Sequence, residues 1–282
     1  MDDPRGFYVV VFVTVTTLVS LLLFRGLYGL VHRRPIQARG TRAEHFVLGG
    51  QIAAVFLVSA STVHNSIGSD SLKTDIVWTF AYGITALVLL FLSGELGVRL
   101  LLRGRLDKEI KSGNVAAGVA AGCLYAAAGI ITASAIAGEG VRELGLSVGF
   151  FLLATVALHL LTTAFRALTT YDDAEQIAGE NLAAAISFGG ASIAFAIFVG
   201  RATTGEFTTW NDSLLDFARS LALCVALYPM RQLVVQTFVL GAPLRVRGGR
   251  IDDAIAARRD VSVAVLEAVT YVATALAALR FA

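Results

Sequence analysis

Apolar residues run along this chain in long unbroken stretches separated by short polar loops. Eight stand out: Phe7–Leu30, Phe46–Val63, Ile76–Leu102, Val115–Ala137, Leu144–Leu168, Leu182–Val199, Leu214–Leu240 and Val261–Leu279. A helix needs about 20 mostly apolar residues to cross a bilayer. Barrel strands are shorter and alternate in polarity, so continuous runs of this length exclude them. The pattern predicts an all-α polytopic membrane bundle of eight spans, with no room for a globular domain. The first stretch is too long for a signal-peptide core, follows Asp2 and Asp3, and lacks a small-residue cleavage site. It reads as the first membrane helix.

Composition agrees: 56% of the 282 residues are hydrophobic and 16% charged, against roughly 25% charged in soluble domains. Most soluble-enzyme classes are thereby excluded. The net charge of +2 says little, but the placement of the cations says more. Arg33, Arg34, Arg39 and Arg42 follow the first span, and Arg103, Arg105, Lys108 and Lys111 follow the third. Arg245, Arg247, Arg250, Arg258 and Arg259 follow the seventh. The opposite side carries Arg5, Lys73, Arg142, Arg201 and Arg280. The positive-inside bias then puts both termini outside the cytoplasm. After the fifth span, Arg166 stands against Asp172, Asp173, Glu175 and Glu180; acidic residues count little in this bias. Topology and contact with anionic lipid account for the basic loops, so lipids are expected partners and nucleic acid is not.

Self-similarity is the most informative feature. The even spans begin with Gln51-Ile-Ala-Ala, Asn114-Val-Ala-Ala, Asn181-Leu-Ala-Ala and Asp260-Val-Ser-Val. Four residues on stand Val55, Gly118, Ala185 and Ala264; eight on stand Ser59, Gly122, Gly189 and Ala268. Four residues upstream, Val47, Ile110, Ile177 and Ala256 recur. A hairpin of about 65 residues is thus used four times, in parallel rather than inverted copies. The chain divides into two four-helix modules, 1–138 and 139–282. Small residues spaced by four let helix backbones approach closely in lipid, so Gly118, Gly122, Ala185 and Gly189 are expected at helix contacts in an inner layer of even spans. The polar openers Gln51, Asn114, Asn181 and Asp260 read as helix caps or as a polar ring around a central opening.

The strings Ile110-Lys-Ser-Gly-Asn114-Val-Ala-Ala-Gly118 and Ile177-Ala-Gly-Glu-Asn181-Leu-Ala-Ala-Ala185 resemble the bacterial membrane proteins of domain-of-unknown-function family 350. Single-module members have four spans, so this chain looks like two modules in tandem. Gln51 and Asp260 depart from the family's Asn. The resemblance implies an integral protein of the bacterial cytoplasmic membrane with no established activity. It also implies a link to envelope stress or polyamine physiology, and with it a protein partner; a homo-oligomer stays open.

Charges inside spans are expensive and are the natural candidates for function. Glu95, Arg231 and Glu267, from three different spans, are expected at one depth as a shared cluster, with Pro229 and Gly94 loosening the helices beside them. Two carboxylates sharing one guanidinium leave a proton over. The cluster reads either as a structural pair or as the lining of a path for an ion or small solute. Arg25, Arg99 and Arg166 are expected to reach the headgroups, and Asp216 and Arg219 to pair. His64 and His159 titrate near neutrality but read as packing residues. Cys123 and Cys224 are far apart in apolar spans, without disulfide or metal spacing. There is no phosphate loop, nucleophile elbow or metalloprotease motif, so neither metal, cofactor nor enzymatic activity is expected. A channel or carrier and a non-transporting membrane scaffold remain the two functional readings.

Overall fold

The structure is a computed structural model describing residues 4–32, 40–66, 71–101, 106–138, 140–205 and 207–280. Arg33, Arg34, Arg39, Arg103 and Arg105, which carry much of the expected orientation signal, lie outside the described residues. The elements are α1 (Pro4–His32), α2 (Arg42–Ser66), α3 (Leu72–Leu101), a short α4 (Leu106–Ser112), α5 (Val115–Ala135) and α6 (Val141–Arg166). A short α7 (Asp173–Ala178), α8 (Leu182–Ala202), α9 (Trp210–Ala222), α10 (Leu227–Met230), a short α11 (Arg250–Asp252) and α12 (Val261–Ala278) follow. Eight helical stretches among the described residues are long and apolar enough to cross a membrane, as the sequence pattern predicts. The seventh, Trp210–Val239, is irregular: a 3₁₀ turn (Leu223–Ala226) joins α9 to α10, and a π-helix (Arg231–Val239) completes it. Pro229 sits between these irregular segments, where its missing N–H forbids a regular ladder.

The even spans form a row in which α2 packs on α5, α5 on α8, and α8 on α12. Glycine permits the contacts. A Cβ on Gly122 would lie 2.5 Å from the Phe46 carbonyl oxygen, one on Gly129 would meet the Ala54 backbone, and one on Gly118 would overlap that of Ala43. A Cβ on Gly189 would fall 2.5 Å from Cys123 Sγ. Gly118, Gly122, Ala185 and Gly189 are all buried. The contacts at residues 43, 46 and 54 of α2 and 118, 122 and 129 of α5 advance together, so the two helices run in the same sense. Odd spans pack beside this row and expose Leu, Val and Phe: Leu18, Leu22, Phe80, Leu92 and Leu160 are each more than half exposed.

The last three even helices start in the same way. The opener's side chain caps its own helix: Asn114 Oδ1 accepts from Ala117 N (3.1 Å), Asn181 Oδ1 from Ala184 N (3.2 Å), and Asp260 Oδ1 from Val263 N (3.2 Å). A left-handed residue ends the preceding short helix immediately before each of them: Gly113 (φ 96°), Glu180 (φ 61°) and Arg259 (φ 53°). The opener's backbone N–H then returns to that short helix, reaching Glu109, Gln176 and Ala254 carbonyls, as helix C-caps of this kind do. The third return spans one residue more, and Asp253–Ala257 widens into a π-turn to hold it.

The first copy requires a correction. Gln51 does not open a span; it is buried within α2, nine residues after that helix begins. The opener there is Thr41, whose Oγ1 accepts from Glu44 N (3.3 Å) while its own N–H donates to Glu44 Oε2 (2.7 Å). This is a reciprocal capping box. Gln51-Ile-Ala-Ala imitates the motif ten residues after Thr41, nearly three helical turns too late to cap the helix.

Candidate functional site

The openers do more than cap. Thr41 Oγ1 donates to the Ile110 carbonyl (3.2 Å), Asn114 Nδ2 to that of Ile177 (2.9 Å), and Asn181 Nδ2 to that of Ile255 (2.8 Å). Each unit is thereby stapled to the short helix of the next. The residues form a ladder joining successive units, not a polar ring around an opening; α2 and α12 are the row's two ends and share no major contact. In the third step the acceptor is Ile255 rather than a carbonyl in register with Ala256, because of the extra residue in the π-turn. Asp260, at the row's end, caps without an amide to donate onward.

Just beneath these caps in the second half lies a buried ionic network. Arg231, from the π-helix, donates through Nε to Glu267 Oε1 (2.5 Å) and through Nη2 to Asp252 Oδ1 (2.5 Å). All three side chains are at most 1% exposed. Tyr271, one turn along α12, donates to the same Glu267 oxygen (2.7 Å). Asp252 Oδ2 accepts from Thr170 N (2.7 Å) and Thr170 Oγ1 (3.0 Å). The Arg231 guanidinium also stands over the Tyr228 ring, 5.7 Å from its centroid. Isolated charges here would be prohibitively desolvated, and mutual pairing is what lets them stay.

Arg166 and Asp173 extend the network. Sequence reasoning sends Arg166 to the headgroups; instead it is buried, with both Asp173 oxygens chelated by its guanidinium. It also donates to Tyr171 OH (2.9 Å) and Ser187 Oγ (3.2 Å). Burial pushes the Asp173 carboxyl above its usual range, against the pull of Arg166, and pushes the Tyr171 phenol up as well. The i,i+7 spacing of Arg166 and Asp173 crosses a turn, so no helical periodicity signals the pair in the sequence. Asp252 was missed for a similar reason: it sits in a basic loop and reads as solvated.

Glu95 does not join this network. It accepts from Tyr125 OH (2.5 Å) and lies 3.7 Å from the exposed Arg99 of its own helix. Its helix α3 packs on α1, α2, α5 and α6, whereas the π-helix packs on α10, α11 and α12. The expected three-span cluster is therefore two sites, one in each half of the chain. His159 lies against Gly97 of α3, with neither ring nitrogen hydrogen-bonded among the described residues. Asp216 and Arg219 pair at 3.0 Å, both exposed.

At the opposite end of the bundle, a half-open vestibule of about 1010 Å³ lies between the halves. Ser61, Asn65 and Ser134 line it from the first half, and Arg142, Glu143, Ser147, Thr203 and Asp216 from the second. Ser147 Oγ donates to the Ala137 carbonyl (2.8 Å), tying the linker to α6. Phe150 and Phe207 of its lining cluster with Trp210: Phe150 and Trp210 are stacked, rings 12° apart and 6.0 Å between centroids, and Phe207 meets both edge-on. Aromatic clusters of this kind favour the level of the lipid headgroups.

The row of parallel helices, its apolar coat and its buried charges define a polytopic helical membrane protein. The chain belongs to the family described as Domain of Unknown Function (DUF350), whose model matches twice in tandem, over residues 4–136 and 141–279. No curated protein and no solved structure matches it.

Proposed function

We propose that this protein is a multi-pass carrier for a small polar solute, which enters through the vestibule between the two modules. One observation carries the reading: a cavity of about 1010 Å³ at one end of the bundle is lined about equally by apolar side chains and by hydroxyl, amide and charged groups from both modules. Pockets of this size match small-molecule sites. The positive-inside bias supports a cytoplasmic-membrane protein whose capped even-helix ends face the cytoplasm, with the vestibule outside. No catalytic role is proposed. The buried ionic network contributes no residue to the lining of the vestibule, so its part in this reading is to hold the irregular seventh span.

The burial of the ionic network favours a second reading, a non-transporting membrane scaffold in an envelope-stress or polyamine-linked system. Uptake by proteoliposomes separates the two. Parent protein and Ser147→Trp, which obstructs the vestibule, are compared across inorganic ions, amino acids and polyamines. Uptake by the parent that the variant loses supports the carrier. No uptake of any of these above protein-free liposomes leaves the scaffold.

A further inference from the structure

We propose that the buried network of the second module binds one exchangeable proton as its counter-ion. The proposal does not depend on the carrier reading. Five ionisable groups take part: the guanidiniums of Arg166 and Arg231, and the carboxyls of Asp173, Asp252 and Glu267. Fully ionised, they would carry one surplus negative charge, and their side chains are all less than 10% exposed. A net charge taken out of water is far costlier than a balanced set, and neutralising it with a proton is the usual outcome.

The hydrogen bonds satisfy the three carboxyls unequally. Asp252 is saturated by Arg231 and by two donors from Thr170. Asp173 is held through both oxygens by Arg166. Glu267 is different: Oε1 takes two donors, from Arg231 and Tyr271, while the buried Oε2 has no hydrogen-bonding partner among the described residues. The Ser187 hydroxyl of α8 stands beside it. A hydroxyl can donate to an ionised carboxylate or, by rotating, accept from a protonated one, so Ser187 suits both states. Among the described residues, the groups around Glu267 are Arg231 and Tyr228 from the seventh span, Asp252 from α11, Arg166 from α6, Tyr171 and Asp173 beyond it with Asp172 alongside, and Tyr271 on its own helix. Of these groups, only Arg166 and Arg231 are cations. The groups are close enough to titrate as one system, so the proton belongs to the network rather than to one residue. It exchanges with water at the loop end, where the Asp173 side chain keeps 9% exposure.

Difference infrared spectroscopy of the intact chain in lipid tests this. The expected result at neutral pH is one protonated-carboxyl band that shifts in heavy water and titrates away over a single proton as pH rises. Neutralising any one of the three carboxyls balances the charges without a proton, so Glu267→Gln and Asp173→Asn should each abolish the band. Glu95→Gln should leave it. Absence of the band from the parent at neutral pH would overturn the proposal, as would a band lost in Glu95→Gln and kept in Glu267→Gln. Should the carboxyl variants fail to fold, the parent's titration decides alone: a band that persists unchanged as pH rises, or a fold that depends on sodium instead, sinks it.

Discussion

Tyr125 and Tyr271 occupy the same station in the two modules, each eleven residues past its opener, Asn114 or Asp260. Both are fully buried and both donate to a glutamate. What surrounds them differs. In the first module the glutamate comes from α3, keeps 15% exposure and has a largely solvated arginine for company. In the second it lies on the tyrosine's own helix, is sealed, and belongs to a network of five charges. The first module has Ala121 where the second has Glu267, and Val47 where it has Ser187, counting from each opener. The caps, the left-handed turns and the small-residue contacts recur nonetheless. The repeated unit therefore owes its fold to capping and close packing, and the ion network is an addition to one copy.

The largest expected effect breaks that addition directly. Arg231→Leu strands Asp252 and Glu267 as buried carboxylates and should cost about 3–5 kcal/mol. Glu95→Ala removes the Tyr125 hydrogen bond and the weak Arg99 pair at a partly exposed site and should cost about 1 kcal/mol. Denaturant unfolding in lipid or detergent measures both; equal losses would make the modules alike.

Packing comes next and should be shared by the modules, with one difference in degree. Gly122→Ala drives a methyl into the Phe46 backbone and should lose about 1–3 kcal/mol. Gly189→Ala meets the Cys123 side chain instead, which can yield, so its loss should be smaller and partly relieved by adding Cys123→Ala. A Gly189 variant as damaging as the Gly122 one, with no relief, would show that the α5–α8 contact is not the one described.

The staples are smaller still. Asn114→Asp and Asn181→Asp keep the cap but lose the amide donor to the next unit, at about 1 kcal/mol each. Asp260→Asn, at the row's end, should leave stability unchanged; a marked gain would mean that the row continues into a partner.

Last comes pH. The Asp173 carboxyl is held above its unfolded range, so the folded state binds its proton more tightly. That contribution to stability is complete below the ordinary carboxylate range and fades as pH rises through the folded value. Melting temperature should fall over that interval in the parent and stay flat in Asp173→Asn.

Eight spans, their helical character and the tandem arrangement were legible in the sequence, because apolar runs and the Asn-x-Ala-Ala strings are local signals. Arg231 and Glu267 were legible as a pair, since a charge in lipid has few ways to survive. The rest needed three dimensions. Glu95 looked like a partner because depth along a helix can be counted but its neighbours cannot. Asp252, Asp173 and Thr170 reach the network from loops, where nothing in the sequence separates a buried carboxylate from a solvated one. The opener at Thr41 was readable in principle from Thr-x-x-Glu, a capping signature, but Gln51-Ile-Ala-Ala was the closer match to its sister copies.

Most direct for the division between the modules is a pair of double-mutant cycles on Arg231, measured by unfolding. With Glu267 the coupling should reach about 0.5–3 kcal/mol, as for side chains in contact, and with Glu95 the two losses should simply add. Additive losses for Arg231 with Glu267, together with coupling between Arg231 and Glu95, would contradict the account.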